Sequence, residues 1–331
     1  MIDRSTFSRI WHPEAGHDRG KAPYFEGWYV KLVGADRNFR MAVIPGLFRS
    51  ADGAEEAFVQ VLDGDSGRSW YVSYPASEYR AATDRFGAVV GPNQFSASRI
   101  NLAIDEPDLQ LVGEVAITDP LDRWPVTIRS PGAMGWYAYA PAMECYHGVV
   151  SFRHGLSGEL RFNGTAVDLA GGRGYIEQDW GQAFPAAYVW MHSNHFSNPD
   201  ISLLASAALI PWWRGKFRGL LIGLRHGADF HRFATYTGAK TEYFSIDDEH
   251  VRLTVKDRKD YWLNLVAERR GGALLHAPVR TEMHRRVEET LDARIHLAFG
   301  RGGELLMEDT GEVAGLEVHG DIPTLLGTAD R

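Results

Sequence analysis

Apolar and polar residues alternate with a period of two along almost the whole chain, and this limits what the chain can fold into more than any other feature. "YFEGWYVKLVG" (24–34), "AFVQVLDGDSG" (57–67), "VVSFRHGLSGELRFNG" (149–164) and "VRLTVKDRKDYWLNLVAE" (251–268) each read as strands broken by turn residues. The dipeptides Asp-Gly, Ser-Gly and Asn-Gly mark hairpins, most clearly at Asn163–Gly164. Asn163-Gly-Thr165 also matches a glycosylation sequon, but with no secretory signal the turn reading is preferred. The best helical window, "TEMHRRVEETLDARIHLAF" (281–299), fits a heptad poorly and reverts to strand-like alternation at "ARIHLAF". Tryptophan, tyrosine and phenylalanine make up 12% of the 331 residues, beside 35 glycines and 15 prolines, which also favours short strands and turns. The expectation is an all-β protein with little helix.

The length suits two domains or one large β domain. A faint internal echo favours two. "APYFEGWYVKLV" and "FPAAYVWMHSNHF" are each a proline, a short spacer and an aromatic-rich strand, which divides the chain into residues 1–183 and 184–331. The net charge of −8 and scattered basic residues argue against nucleic-acid binding. Cys145 is the sole cysteine, which excludes an intrachain disulfide framework and fits a reducing compartment; it reads as a small buried hydrophobe. The opening residues carry no apolar signal core, and "ISLLASAALIPWW" (201–213) is too short to span a bilayer. A cytoplasmic protein is expected, with no obligate protein partner.

The stretch "GGRGYIEQDWG" (171–181) sets carboxylates in what reads as buried β structure, where they are costly unless paired or used. On a strand, Tyr175, Glu177 and Asp179 share one face while Ile176, Gln178 and Trp180 share the other. Two neighbouring carboxylates repel, so one is expected to hold its proton beside an anion. The competing reading is an acidic pair facing solvent or pinned by arginines such as Arg173. In "WMHSNHF" (190–196), His192 and His195 face opposite sides of a strand and cannot chelate one ion, so no metal is expected. Trp190, His192 and Asn194 line up as a polar-edged ligand wall, or else as satisfied core residues. "SPGAMGWYAYAPAMECYHGVVS" (130–151) offers Trp136 with Glu144 and His147 as an apolar cavity wall edged by a carboxylate and an imidazole, or plain core packing. Glu26 and Trp28 share a face of "YFEGWYVK". Nucleotide loops, serine-nucleophile elbows and zinc spacings are absent, and no cofactor is expected.

Taken together, "PYFEGWYVK", "PNQFSASRINL", "SPGAMGWYAYAPAMECYHGVVS", "GGRGYIEQDWGQAFPAAYVWMHSNHF" and "RFATYTGAK" resemble the bacterial branch of the tocopherol cyclase family, in ordered blocks from about residue 11 to about residue 240. The resemblance implies two lipocalin-like β domains, as in the wider group that holds carotenoid hydratases. It also implies an isomerase-type enzyme in which a phenol of a prenylated hydroquinone adds across the nearest alkene. The ligand would be a hydrophobic isoprenoid or aromatic molecule, which leaves room for peripheral membrane contact. No catalytic set is carried over from the family, so roles follow from the chemistry. Asp179 or Glu177 would be the acid, and His192 or the other carboxylate the base. Trp190 or Tyr188 would stabilise the cation; Trp180 could do so only if a bulge, or the end of the strand at Gly181, turned it towards Asp179. An isoprenoid hydratase and a non-catalytic lipocalin-like carrier are the alternatives, and a carrier has no need of Glu177 and Asp179 beside its ligand.

Overall fold

The structure, a computed structural model, describes residues 9–140, 143–212 and 215–327. The all-β expectation holds: two antiparallel sheets account for nearly all regular structure. The chain forms two compact units, one of residues 1–184 with 275–286, the other of 185–274 with 287–331.

The first sheet opens with β1 (Tyr24–Val33), β2 (Arg40–Arg49), β3 (Glu55–Asp63) and β4 (Arg68–Pro75). It continues with β5 (Tyr79–Ala81), β6 (Gly87–Val90), β7 (Asn93–Ser96), β8 (Arg99–Glu106) and β9 (Leu109–Ile117). It ends with β10 (Cys145–Phe162), β11 (Thr165–Asp168) and β12 (Gly172–Gly181). The spatial order is β4-β3-β2-β1-β12-β10-β9-β8-β7-β6-β5, with β11 beside β10. The second sheet holds β13 (Ala187–Ser193), β14 (Ile201–Trp212), β15 (Gly215–His226), β16 (Asp229–Ala234) and β17 (Lys240–Ile246). After these come β18 (His250–Lys256), β19 (Tyr261–Glu268), β20 (Ala273–Pro278), β21 (Met283–Arg301) and β22 (Glu304–Gly320). Their order is β16-β15-β14-β13-β22-β21-β19-β18-β17, with β20 beside β21.

Both sheets follow one lipocalin-like plan, a meander whose first strand hydrogen-bonds to its last: β1 to β12, and β13 to β22. Both paths break after the fourth strand, where a short 3-10 helix intervenes (Ala76–Glu78 and Thr235–Thr237). The echo in the sequence is thus an echo in topology, since the two aromatic-rich segments are the opening strands β1 and β13. The ambiguous window at 281–299 falls largely in the long strand β21. At the β10–β11 hairpin, Asn163 and Gly164 both take positive φ (47° and 83°), as a tight type I′ turn requires.

Each unit has its own apolar core. In the first it gathers Trp28, Val30, Val43, Val61, Ile100, Leu111 and Ile176. In the second it gathers Val189, Met191, Leu203, Ile222, Leu265, Ile295 and Leu316. Strands β8 and β18 show the alternating burial of half-covered strands, whereas β1, β12 and β13 are largely buried on both faces. A strand covered on both sides normally reads as continuously apolar. β12 carries Glu177 and Gln178 instead, so their polar groups must find partners inside the protein.

Residues 275–286 are tied into the first unit by backbone and side-chain bonds. The Gln60 amide donates to the His276 carbonyl (2.9 Å) and accepts from the His276 N–H (2.8 Å). Ala51 N–H donates to the Arg280 carbonyl and Phe184 N–H to the Pro278 carbonyl.

Candidate functional site

The two faces of β12 separate as the period-two reading requires. Ile176 joins the apolar core, and Gln178 donates to the Ala15 carbonyl (2.9 Å). On the opposite face the Tyr175 hydroxyl donates to Glu177 through a short hydrogen bond. Pairing with β1 and β10 fills out that polar face. Register places Tyr29 opposite Glu177 and the buried Lys31 opposite Tyr175 on one side, and His147 opposite Asp179 on the other. A close approach of β10 and β12 accompanies this register. Gly181 has φ 153°, and a Cβ there would lie 2.3 Å from the Glu144 carbonyl oxygen. No larger residue fits without moving the start of β10, two residues before His147.

His147 is the centre of the cluster. Its Nδ1 lies 2.9 Å from Asp179 Oδ1, and its Nε2 lies 3.5 Å from Glu177 Oε2. Burial alone would lower the pKa of the imidazole. The charges of Asp179 and Glu177 and the hydrogen bond to Asp179 outweigh that and raise it to about 9. The ring is therefore an imidazolium at neutral pH, held between two carboxylates. Burial, then the neighbouring Glu177, pushes the Tyr175 phenol well above its usual range, so it stays a donor. Cys145 lies 3.8 Å from Asp179 Oδ1, and burial followed by the Asp179 charge keeps it a thiol. His147, Glu177 and Asp179 each offer a ligand atom, all within 4.8 Å of one another, so the trio could hold a divalent cation. However, the imidazole meets each carboxylate through a different ring nitrogen, and a ring spends only one nitrogen on an ion. That arrangement suits a shared proton better than chelation.

A second buried polar cluster occupies the core-side face. Glu26 is fully buried and accepts from the hydroxyls of Tyr79 (2.6 Å) and Tyr24 (2.9 Å) and from the His17 N–H (2.7 Å). Burial raises its carboxyl pKa against the pull of those donors. Trp180, opposite Glu26, is stacked between His17 (3.9 Å, 2°) and Tyr146 (5.5 Å, 7°). The β1–β12 register is unbroken from residue 173 to 181, so no bulge turns Trp180 towards Asp179. Trp28 lies on this core-side face too, its indole donating to the Glu14 carbonyl (3.1 Å).

The other residues singled out in the sequence are distributed as follows. Tyr188, Trp190, His192 and Asn194 belong to the second unit, whereas the trio belongs to the first. There Tyr188 donates to Glu317 (2.6 Å), and the Trp190 and His192 rings are 6.4 Å apart. Glu144 lies 3.8 Å from Arg280, and Trp136 stands 46% exposed in the 3-10 helix Gly135–Tyr139. The base assigned by sequence to His192 or a carboxylate thus has a third candidate in His147. Lys31, His17 and Tyr79 were not anticipated. The spacing Cys145-x-His147 was the one available sign that β10 presents polar groups on a single face.

Comparison with known proteins identifies the family. Residues 112–320 match the family model described as "Tocopherol cyclase-like". The chain belongs to that family. The match continues well beyond residue 240, through a region in which the sequence alone showed only β patterning. Among curated relatives in the tocopherol cyclase-like family, "Probable tocopherol cyclase, chloroplastic" of Oryza sativa subsp. japonica and "Tocopherol cyclase, chloroplastic" of Zea mays are each 25% identical over 228 residues. That alignment covers 65% of this chain and 48% of each relative, so this tocopherol cyclase-like chain spans about half the length of either. Among solved structures, CghA has a TM-score of 0.57 at 10% identity, covering 90% of this chain and 89% of its own. The same fold is therefore found in CghA. Among the described residues no helix is long and apolar enough to cross a membrane.

Proposed function

We propose that this chain is a cofactor-independent cyclase that closes an oxygen heterocycle in a prenylated hydroquinone by adding a phenol across an alkene. The observation that carries the reading is the imidazolium of His147 set between Asp179 and Glu177. The reaction must give one proton to an alkene carbon and take one from a phenol, with no net change. An imidazolium hydrogen-bonded to Asp179 and 3.5 Å from Glu177 can do both.

Asp179 is the most exposed of the three, with 24% of its side chain accessible against 13% for His147 and 6% for Glu177. It is therefore the group assigned to meet the substrate. The proton held on His147 passes by way of Asp179 to the less substituted alkene carbon, breaking the π bond and forming a C–H bond. Positive charge develops on the tertiary carbon, and the rings of Tyr29 and Tyr175 on this face favour it. The phenol oxygen forms the C–O bond and its proton returns to the trio, with His147 as the reservoir. Glu177, fixed by Tyr175, holds the imidazole in line. Membership of the family and the names of the rice and maize relatives support this reading, and CghA solved with Sch210972 supports a fold that holds an organic ligand.

Incubation with a geranylgeranyl hydroquinone in D2O tests it. Cyclisation gives an isomer carrying one non-exchangeable deuterium on carbon, whereas hydration adds the mass of water. Substrate that is bound but recovered unchanged would leave only the carrier reading.

A further inference from the structure

We infer that the loop between β9 and β10 is a docking element for an anionic lipid bilayer. The inference stands on exposure and charge and does not depend on the cyclase chemistry. Ten large hydrophobic side chains are exposed among the described residues, and four of them fall in one short stretch: Val126 (38%), Ile128 (80%), Trp136 (46%) and Tyr139 (39%). Isolated exposed apolar residues are ordinary, but a concentration of this kind marks an interaction surface.

The loop is built to keep these side chains outward. Thr127 and Ser130 exchange two backbone hydrogen bonds (3.0 Å each), which leaves Ile128 and Arg129 at the tip of a tight turn. The Tyr139 hydroxyl donates to the Ile128 carbonyl (2.8 Å), tying the 3-10 helix Gly135–Tyr139 to that turn. The inner part is anchored. Trp124 is buried and stacked on Phe152 (5.8 Å), Pro131, Gly132 and Ala133 are buried, and Gly132 leaves only 3.0 Å between a would-be Cβ and Pro13.

The occupant follows from charge and residue type. The chain carries a net charge of −8, yet residues 123–143 contain two arginines and no acidic residue. Arg123 is paired with Glu14 (2.8 Å), while Arg129 at the exposed tip has no acidic partner among the described residues. A cation at the tip beside an apolar Ile128, with Trp136 and Tyr139 alongside, is the combination that suits a headgroup–acyl boundary. Tryptophan and tyrosine place an apolar ring and a polar edge at that depth, and arginine meets anionic headgroups. A protein partner of this acidic chain's own kind would bring like charge elsewhere on its surface but nothing that selects a basic, aromatic tip.

The test is co-sedimentation of the full chain with vesicles of phosphatidylcholine, alone or mixed with phosphatidylglycerol. Binding is expected to the mixed vesicles and to weaken with salt. Arg129→Glu should lower the affinity at least on the order of fivefold, the worth of one basic residue at an anionic surface. Ile128→Asp and Trp136→Ala should each weaken it further. All three positions are exposed, so circular dichroism and melting should match the wild type. Absence of wild-type binding, or variants that bind as the wild type does, would overturn the proposal. So would a concentration-dependent dimer in sedimentation that Trp136→Ala abolishes, since the patch would then be an interface between copies.

Discussion

Replacing His147 with glutamine removes a positive charge from between Asp179 and Glu177 while leaving a polar group of similar reach. The size of the effect follows from the titration of the ring. Raising an imidazole from 6.5 to about 9 means that the folded state favours the protonated form by about 3 kcal/mol, at 1.36 kcal/mol per pKa unit. The His147 side chain is only 13% exposed, so solvent screens this little. The folded pKa is raised above the unfolded value. The stabilisation is therefore fully present below pH 6.5 and is lost as pH rises through about 9. For a unit of about this size, 3 kcal/mol corresponds to a drop in melting temperature of roughly 6–12 °C. Thermal melts of the wild type and His147→Gln should thus differ most at the acidic end of that window and converge above pH 9. Adding Asp179→Asn to the variant should cost less than the sum of the two single changes, because each removes the same pair. An NMR titration that finds the His147 ring at or below 6.5, or a melting difference independent of pH, would refute the argument.

Three further outcomes are expected. Asp179→Asn should lower turnover by roughly 10²–10⁴-fold with substrate affinity nearly kept, whereas Glu177→Gln should cost less; near wild-type rates in both would place the acid elsewhere. Gly181→Ala should destabilise the protein and disturb His147, because its Cβ would overlap the Glu144 carbonyl; a wild-type melting temperature and an unshifted His147 ring signal would contradict this. Burial lowers the buried His154 to about 4, so stability should fall as pH drops from 6.5 through 4, and His154→Gln should flatten that fall; an unchanged acid limb of the stability curve would count against it.

The alternation of β12 was open to reading because a period of two is a local property. Tyr175, Glu177 and Asp179 lie on one face and Ile176, Gln178 and Trp180 on the other, as spacing alone requires. What lies across from each face is set by strand register, and the partners are distant in sequence. His147, read from its own neighbours only as the edge of a cavity wall, is 32 residues from Asp179, and Tyr29 is far earlier still, so nothing local ties either to the carboxylates. His192 drew notice through its tryptophan neighbour, yet β13 opens a second sheet with its own core, which separates it from the carboxylates in the topology. In the sequence the role of Trp180 depends on a bulge or on where the strand ends, and the unbroken β1–β12 ladder, which runs through Gly181, resolves it: the indole is a stacking partner for His17 and Tyr146. His17 itself could not be singled out, because the stretch around it has no periodicity to place it on a face.

The two-way amide bond between Gln60 and the His276 backbone has a consequence for the order in which the protein is made. Residues 275–286 belong to the first unit, although 90 residues of the second unit (185–274) precede them in the chain. A ribosome adding 5–20 residues per second needs roughly 5–20 s to pass from residue 184 to residue 286. During that time β1 and β12 can already pair, but Gln60, only 3% exposed in the finished protein, still waits for both of its backbone partners. The first unit is thus begun first and completed late. A fragment cut at residue 184 would carry that side chain permanently unmatched, so the chain should be divided for expression only where residues 275–286 can be supplied, as a second piece if need be.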